Sequence, residues 1–207
     1  MLIGLDLDNT IIDYDAAFSR LGQSMGLLPV GFEGPKLAAR TLLWRQPEGD
    51  LLWQRLQAAV YGPGIGEASP ADGVHAFMTW CRGQGHDLSI VSHKSQFAAA
   101  DPQGSDLRVC ARAWLEQAGI AGALVAPEAV YFEDTRRAKL ERIAGLGCRY
   151  FVDDLEEVLL DPAFPHETQA IHFAPTPGEA AARGLPCFPS WQQIAGYIEN
   201  DSIRSRP

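Results

Sequence analysis

The sequence predicts an α/β fold: a Rossmann-like parallel sheet core with helices on both faces, interrupted once by a small all-helical insertion. Three observations predict it. Short apolar runs alternate with stretches of helical periodicity along most of the chain. Three of those runs stop abruptly at reactive side chains, namely Asp6 with Asp8, Ser92, and Asp153 with Asp154. Between the first run and the second, residues 14–82 carry helical patterns and no convincing strand.

Each element has its own signal. Leu2 to Leu5 is apolar and ends at Asp6, as expected of a buried parallel strand that delivers its carboxyl end to a site. After Asp13, Tyr14, Phe18, Leu21 and Met25 fall on one helical face. Gly26 and the Gly- and Pro-rich residues 29–35 break that pattern. A second helix is expected from Lys36 to Trp44, and a third from Asp50 to Tyr61, where Leu52, Leu56 and Val60 recur every fourth residue. Residues 61–70 read as a loop by composition. A fourth helix is expected from about Ala71 to Arg82, ended by Gly83 and Gly85. The second strand is Asp87 to Ser92, followed by His93 and Lys94. Ser95 to Asp106, with Pro102 and Gly104, is a polar loop longer than a routine connection. Leu107, Ala111, Trp114 and Ala118 mark the next helix, closed by Gly119.

Ala129 to Phe132 reads as a third strand. A helix from about Thr135 to Leu146 carries Lys139 near its start, with Leu140, Ile143 and Leu146 on its buried face and Gly147 as its C-terminal cap. Arg149 to Asp154 and Gln169 to Phe173 are the fourth and fifth strands. A last helix runs from an N-capping Ser190 to Glu199, and 201–207 is expected to be a frayed tail. The expected division is 1–13 and 83–207 for the α/β core, and 14–82 for the helical insertion.

The bulk composition narrows the function. A chain of 207 residues holds one ample core with a modest insertion. Its net charge of -9 and pI near 5.0 argue against nonspecific nucleic-acid binding and against a polybasic membrane mode. A phosphorylated substrate would need local cations to overcome that field. Cys81, Cys110, Cys148 and Cys187 are scattered and form no Cys-x-x-Cys pair, which suits reduced thiols better than disulfides or zinc. No signal-like block opens the chain, and no apolar run approaches the roughly 20 residues of a membrane span. A cytoplasmic protein is expected; the sequence leaves the oligomeric state open.

The chemistry begins at Asp6 and Asp8. If strand geometry continues through Asp6, both carboxylates point to one side. Like charges so close raise one pKa unless a divalent cation or a proton sits between them. The pattern points to a metal site, a nucleophile with an acid/base, or both. In open parallel sheets ligands bind beyond the carboxyl ends of the strands, where the Asp6/Asp8, Ser92 and Asp153/Asp154 ends converge.

Taken in order, Asp6-Leu7-Asp8-Asn9-Thr10, Ile90-Val91-Ser92, Lys139 and Phe151-Val152-Asp153-Asp154 resemble the four motifs of the haloacid dehalogenase superfamily. The resemblance implies a phosphoryl-transfer enzyme in which Asp6 is the nucleophile and Asp8 the general acid/base. It implies that Ser92 hydrogen-bonds the phosphoryl oxygens and that Lys139 is the compensating cation, with Lys94 as a rival for that place. It also implies a Mg²⁺ ion held by Asp6, the backbone carbonyl of Asp8, and Asp153, with Asp154 as a further ligand through water or an orienting acceptor. Thr10, His93 and Lys94 are candidate substrate contacts. Glu157 either assists or only favours the start of its helix, and His172 reads as a packed core histidine. The dehalogenases of the family lack the second acidic residue of the first motif. Asp8 therefore favours phosphate esters over organohalides. Phosphonates are disfavoured too, since no convincing Schiff-base lysine stands in the insertion, Lys36 being the nearest candidate.

The insertion matches the family's helical cap, which closes over the site and supplies substrate contacts. Lys36, Arg40, Trp44, Arg45 and Trp53 are candidates for that role. The expected activity is a Mg²⁺-dependent phosphatase of a small phosphorylated metabolite. A phosphotransferase using the same aspartyl-phosphate is the alternative. A receiver-like signalling domain is disfavoured, because its paired acids precede the phospho-accepting Asp.

Overall fold

The computed structural model describes residues 1–101 and 104–204. The chain opens with β1 (Leu2–Leu5), then β2 (Ile12–Asp13), α1 (Asp15–Ser24), α2 (Lys36–Trp44) and α3 (Gly49–Tyr61). A 3-10 turn (Pro63–Glu67) leads to β3 (Ser69–Pro70), α4 (Val74–Gly83), β4 (Asp87–His93) and α5 (Leu107–Gln117). There follow β5 (Val130–Glu133), α6 (Arg136–Leu146), β6 (Tyr150–Asp153), α7 (Glu156–Leu159), β7 (Gln169–Phe173), α8 (Glu179–Ala182), β8 (Cys187–Phe188) and α9 (Trp191–Arg204). Two compact units result. One comprises Met1–Ile11, Pro70–His93 and the chain from Gly119 onward; the other comprises Ile12–Ser69 and Lys94–Ala118.

The first unit is built on a six-stranded sheet in the order β5-β4-β1-β6-β7-β8, with every pairing parallel. β1 lies at its centre, so both of its faces are covered and its residues are apolar. Leu5 stands in register with Ile90 on one side and Val152 on the other. On one face, Phe151, Val91 and Cys148 pack against Leu140 and Ile143 of α6 and Val158 and Leu159 of α7. On the other, Trp191 of α9 stacks on Phe173 at 5.0 Å and meets Phe77 of α4 at 4.6 Å. Gly4 stands opposite Phe151 in the parallel pairing of β1 with β6, and the space above it is taken. A Cβ there would lie 2.5 Å from Cδ2 of Phe151 and 2.9 Å from Sγ of Cys148.

That alternation fixes the chemistry. Side chains two residues apart share a face, so the side carrying Gly4 and Phe151 also carries Asp6 and Asp153. It is the side on which α6 packs. The helix starts at Thr135, whose side chain accepts from the Ala138 amide, and ends at Gly147 with φ of 66°.

The second unit has its own aromatic core. Phe18 stacks on Trp53 at 5.0 Å, and Tyr61 meets Tyr14 edge-on at 4.9 Å. α5 joins this unit through its buried stripe of Leu107, Ala111, Trp114 and Leu115, and the Trp114 indole donates to the Ala68 carbonyl at 3.2 Å.

The expected division at 14 and 82 therefore shifts. α4 packs in the sheet unit through Val74, Phe77, Met78 and Cys81, and α5 groups with the helices of the insertion. Both helices are equally amphipathic in sequence, so their periodicity did not say which apolar surface each would cover. β8, α7 and α8 were not expected, being too short to show a period. α9 begins after Ser190, whose hydroxyl accepts from the Gln193 amide, and runs beyond Glu199 into the expected tail. Asp201 is held there by the Tyr150 hydroxyl at 2.6 Å. Residues 205–207 of that tail, and Pro102 of the expected polar loop, lie outside the described residues. No described helix is long and apolar enough to cross a membrane.

Candidate active site

β1 ends at Leu5, not beyond it, but its ladder reaches one residue further: the Asp6 amide donates to the Val152 carbonyl at 2.9 Å. Asp6 is thereby pinned beside β6 and buried. The chain then turns through Asn9, which adopts a left-handed φ of 62°. Such a conformation is uncommon for a residue other than glycine, and Asn tolerates it best. Asp6 and Asp8 therefore do not share one strand. Asp6 is buried, whereas Asp8 is half-buried in the turn and near enough to raise Asp6 electrostatically.

Lys139 projects from the buried face of α6 into this corner and is 2% exposed. Its Nζ donates to Oδ1 of Asp6 at 2.5 Å and to Oδ2 of Asp153 at 2.6 Å. The other oxygen of Asp153 accepts the Leu155 amide at 2.9 Å. Burial alone would lower the Lys139 ammonium, but attraction to Asp6 and Asp153 overcomes that and holds it above its ordinary value. Lys139 is charged.

Asp6 behaves in the opposite way. Burial raises its carboxyl well above the ordinary value; Lys139 pulls it down, and Asp153, Asp154 and Asp8 push it up again. One ammonium faces four carboxylates here. A second cation at this corner would favour the ionised form of Asp6.

The residues fit a divalent ion. Asp6, Asp153 and Asp154 each offer an oxygen within 4.8 Å of the others, a donor set of hard carboxylates. The Asp8 side chain is not in this group. Asp154 is oriented by its neighbours: Asn9 Nδ2 donates to one carboxylate oxygen at 3.3 Å and Thr10 Oγ1 to the other at 3.4 Å. Thr10 is fully buried, with its hydroxyl directed at Asp154. Asp154 also lines an open cleft of about 720 Å³ with Arg136, Glu156, Glu157, His172 and Arg183.

The remaining expected residues fall in several places. Ser92 is buried at the carboxyl end of β4, next to β1 in the sheet. His93 is exposed, and its Nε2 donates to the Asp134 carbonyl at 3.1 Å. Lys94 belongs to the helical unit, where its Nζ lies 4.9 Å from the centre of the Tyr61 ring. Lys139, and not Lys94, is the lysine bonded to Asp6 and Asp153. Glu157 is exposed and paired with Arg136 at 2.6 Å. Within the helical unit, Lys36 stands over the Phe18 and Tyr61 rings and Arg40 over Trp44. Trp53 is core, stacked on Phe18. The part played by Asn9 was not legible in the sequence, because it depends on a turn conformation.

No family model and no curated protein matches the sequence. The chain superimposes on a predicted phosphatase from Clostridium acetobutylicum with a TM-score of 0.63, covering 96% of this chain and 98% of the other at 14% identity. The fold is that of the haloacid dehalogenase-like hydrolases. A predicted phosphoglycolate phosphatase from Haemophilus somnus gives a TM-score of 0.58 at 15% identity, covering 95% of this chain and 97% of that one. A haloacid dehalogenase family hydrolase from Deinococcus radiodurans, crystallised with phosphate and sodium, gives 0.55 at 16% identity, with 96% and 95% covered. The haloacid dehalogenase-like core is therefore present in full, with β1 at the centre of the sheet.

Proposed function

We propose that this haloacid dehalogenase-like chain is a Mg²⁺-dependent phosphatase that hydrolyses a small phosphorylated metabolite through an aspartyl-phosphate on Asp6. The observation that carries this reading is the buried Asp6–Lys139–Asp153 bridge with Asp154 beside it. A purely structural ion pair needs one carboxylate. Gathering several around a single lysine at the carboxyl end of the sheet suits a site that receives a second cation and a phosphoryl group.

Asp6, Asp153 and Asp154 would hold the ion, with the Asp8 main chain as a further ligand. When bound, a divalent cation neutralises phosphoryl oxygens and so lets an anion approach these carboxylates. In the first step a carboxylate oxygen of Asp6 bonds to phosphorus while the ester P–O bond breaks, and Asp8 gives its proton to the departing oxygen. In the second step Asp8 takes a proton from water as the water oxygen bonds to phosphorus. The bond from phosphorus to Asp6 then breaks, releasing inorganic phosphate. Lys139 stays protonated throughout, holds Asp6 in place and stabilises charge on the phosphoryl group. Ser92 donates to a phosphoryl oxygen. The net charge of -9 disfavours polyanionic substrates.

Phosphate release from a generic aryl phosphate tests the reading. Activity should require Mg²⁺ and fall by several powers of ten in Asp6→Asn. Full activity in EDTA, or in that variant, would refute it. Transfer to an added alcohol in preference to water would instead identify a phosphotransferase.

A further inference from the structure

We propose that His172 is a positioning residue for Asp154, holding its main chain so that its carboxylate meets Asp6 and Asp153. The inference rests on reading those three carboxylates as a divalent-cation site.

The geometry begins with register. His172 on β7 stands opposite Asp153 on β6, and its side chain is buried. Its Nε2 lies 3.1 Å from the Asp154 carbonyl oxygen. A carbonyl only accepts, so Nε2 carries the proton and donates. Nδ1 turns the other way. It lies 3.6 Å from Sγ of Cys187, its partner in register on β8, and 3.7 Å from Oε1 of Glu156. Burial holds the Cys187 thiol above its ordinary value, so its S–H is present to donate to Nδ1. This bond on the far side of the ring fixes both tautomer and ring orientation, as carboxylates and carbonyls do behind metal-bound histidines.

Glu156 is anchored in turn. Its Oε1 accepts the Ala180 amide at 2.8 Å, and a Cβ on Gly178 would run into the same carboxylate. The chain of contact therefore runs from α8 and β8 through Glu156, Cys187 and His172 to the backbone of Asp154. From the opposite side Asn9 and Thr10 hold the Asp154 carboxylate. Asp154 is fixed at both ends. Any buried histidine needs partners for its nitrogens; what distinguishes His172 is that one of those partners is the main chain of the residue next to Asp153.

The test measures metal binding directly, by titration calorimetry of Mg²⁺ and Mn²⁺ into the full chain and by the metal-dependent rise in melting temperature. His172→Leu keeps the volume and removes the donor; it should weaken metal binding by about 10–100-fold. His172→Gln, which can place an N–H near the same carbonyl, should stay within about 3-fold of wild type. Turnover at saturating metal should change far less than the metal concentration needed for half activity. Equal affinity in wild type and His172→Leu, or equal loss in the Leu and Gln variants, would overturn the assignment. Should His172→Leu fail to fold, Cys187→Ala and Cys187→Ser carry the test, with weakened metal binding expected in the first and recovery in the second; equal binding in both would overturn it. Wild-type protein that binds neither ion, or Asp153→Asn binding as tightly as wild type, would defeat the cation-site reading itself, an outcome distinct from failure at His172.

Discussion

Replacing Lys139 with methionine keeps most of the side-chain volume and removes the ammonium bonded to both Asp6 and Asp153. The structure sets the size of the effect. Both bonds are short, at 2.5 and 2.6 Å, and all three side chains are buried. Breaking a buried ion pair by deleting one partner costs about 3–5 kcal/mol, because the other charge remains out of water. That is a large share of the roughly 5–15 kcal/mol that holds a typical domain together. The cost should depend on pH. Asp6 is raised above its ordinary value of 3.8, first by burial, and Lys139 is the cation that opposes this. Without Lys139, Asp6 rises further. A carboxyl raised in the folded state binds more protons there than when unfolded. Its contribution is complete below the unfolded value and is lost as pH rises through the folded one. Lys139→Met should therefore lose least near pH 4 and most at pH 8, and Mg²⁺ should restore part of the loss at pH 8. Urea unfolding at both pH values, with Mg²⁺ and with EDTA, measures this. Turnover of an aryl phosphate should fall by roughly 10²–10³-fold, the scale of an electrostatic stabiliser. A variant as stable as wild type at pH 8 in EDTA, or one retaining its turnover, would refute the reasoning.

Two further outcomes follow from the same structure. Lys94→Ala should raise KM for a phosphate ester while leaving kcat within about 10-fold, the reverse of Lys139→Met; a kcat collapse in Lys94→Ala alone would mean that the two lysines exchange roles. Gly4→Ala should cost roughly 1–3 kcal/mol by overpacking against Phe151, and Phe151→Leu in the same chain should recover part of it. Urea midpoints unchanged in Gly4→Ala would show that β1 and β6 have more room than the contact implies.

The parts of the site legible in the sequence are those encoded by strand ends. Asp6, Ser92 and Asp153 each close an apolar run, and a parallel sheet brings such ends to one edge whatever its details. Lys139 was legible because it opens a helix one strand before Asp153, and the packing of α6 on the Phe151 face places it. The less legible parts depend on conformation. Asp8 leaves the strand because the chain turns at Asn9, and a positive φ at Asn is only a local preference in sequence. Thr10 reads as a ligand-facing hydroxyl, yet the same turn buries it against Asp154. The assignment of α4 and α5 to their units depended on which surface each apolar stripe would cover, and Trp191 and Trp114 decide that through contacts distant in sequence. β8 has two residues, too few for an alternation to show, although it supplies Cys187 behind His172.

On the proposed reading, the charge arrangement would explain how so acidic a chain receives an anion. At the site itself Lys139 is surrounded by Asp6, Asp8, Asp153 and Asp154, so the field that a phosphate ester meets is set by whether a cation is bound there. Without one, burial and mutual repulsion raise Asp6 and favour its protonated form, which is a poor nucleophile. A bound cation would reverse both effects together, favouring the carboxylate of Asp6 and weakening the repulsion against an ester. On the proposed reading the excess of carboxylates over ammonium would be a coupling device, since the acids proposed to hold the ion are the ones that raise Asp6. On this argument a neutral replacement at Asp154 should do more than weaken the ion. By removing one source of repulsion it should also lower the Asp6 carboxyl in EDTA, so Asp154→Asn should be more stable than wild type at pH 8 without metal and gain less from Mg²⁺ than wild type does. Melting temperatures of both proteins with and without Mg²⁺ decide it. Equal gains from Mg²⁺ in the two would show that Asp154 is not part of the coupling.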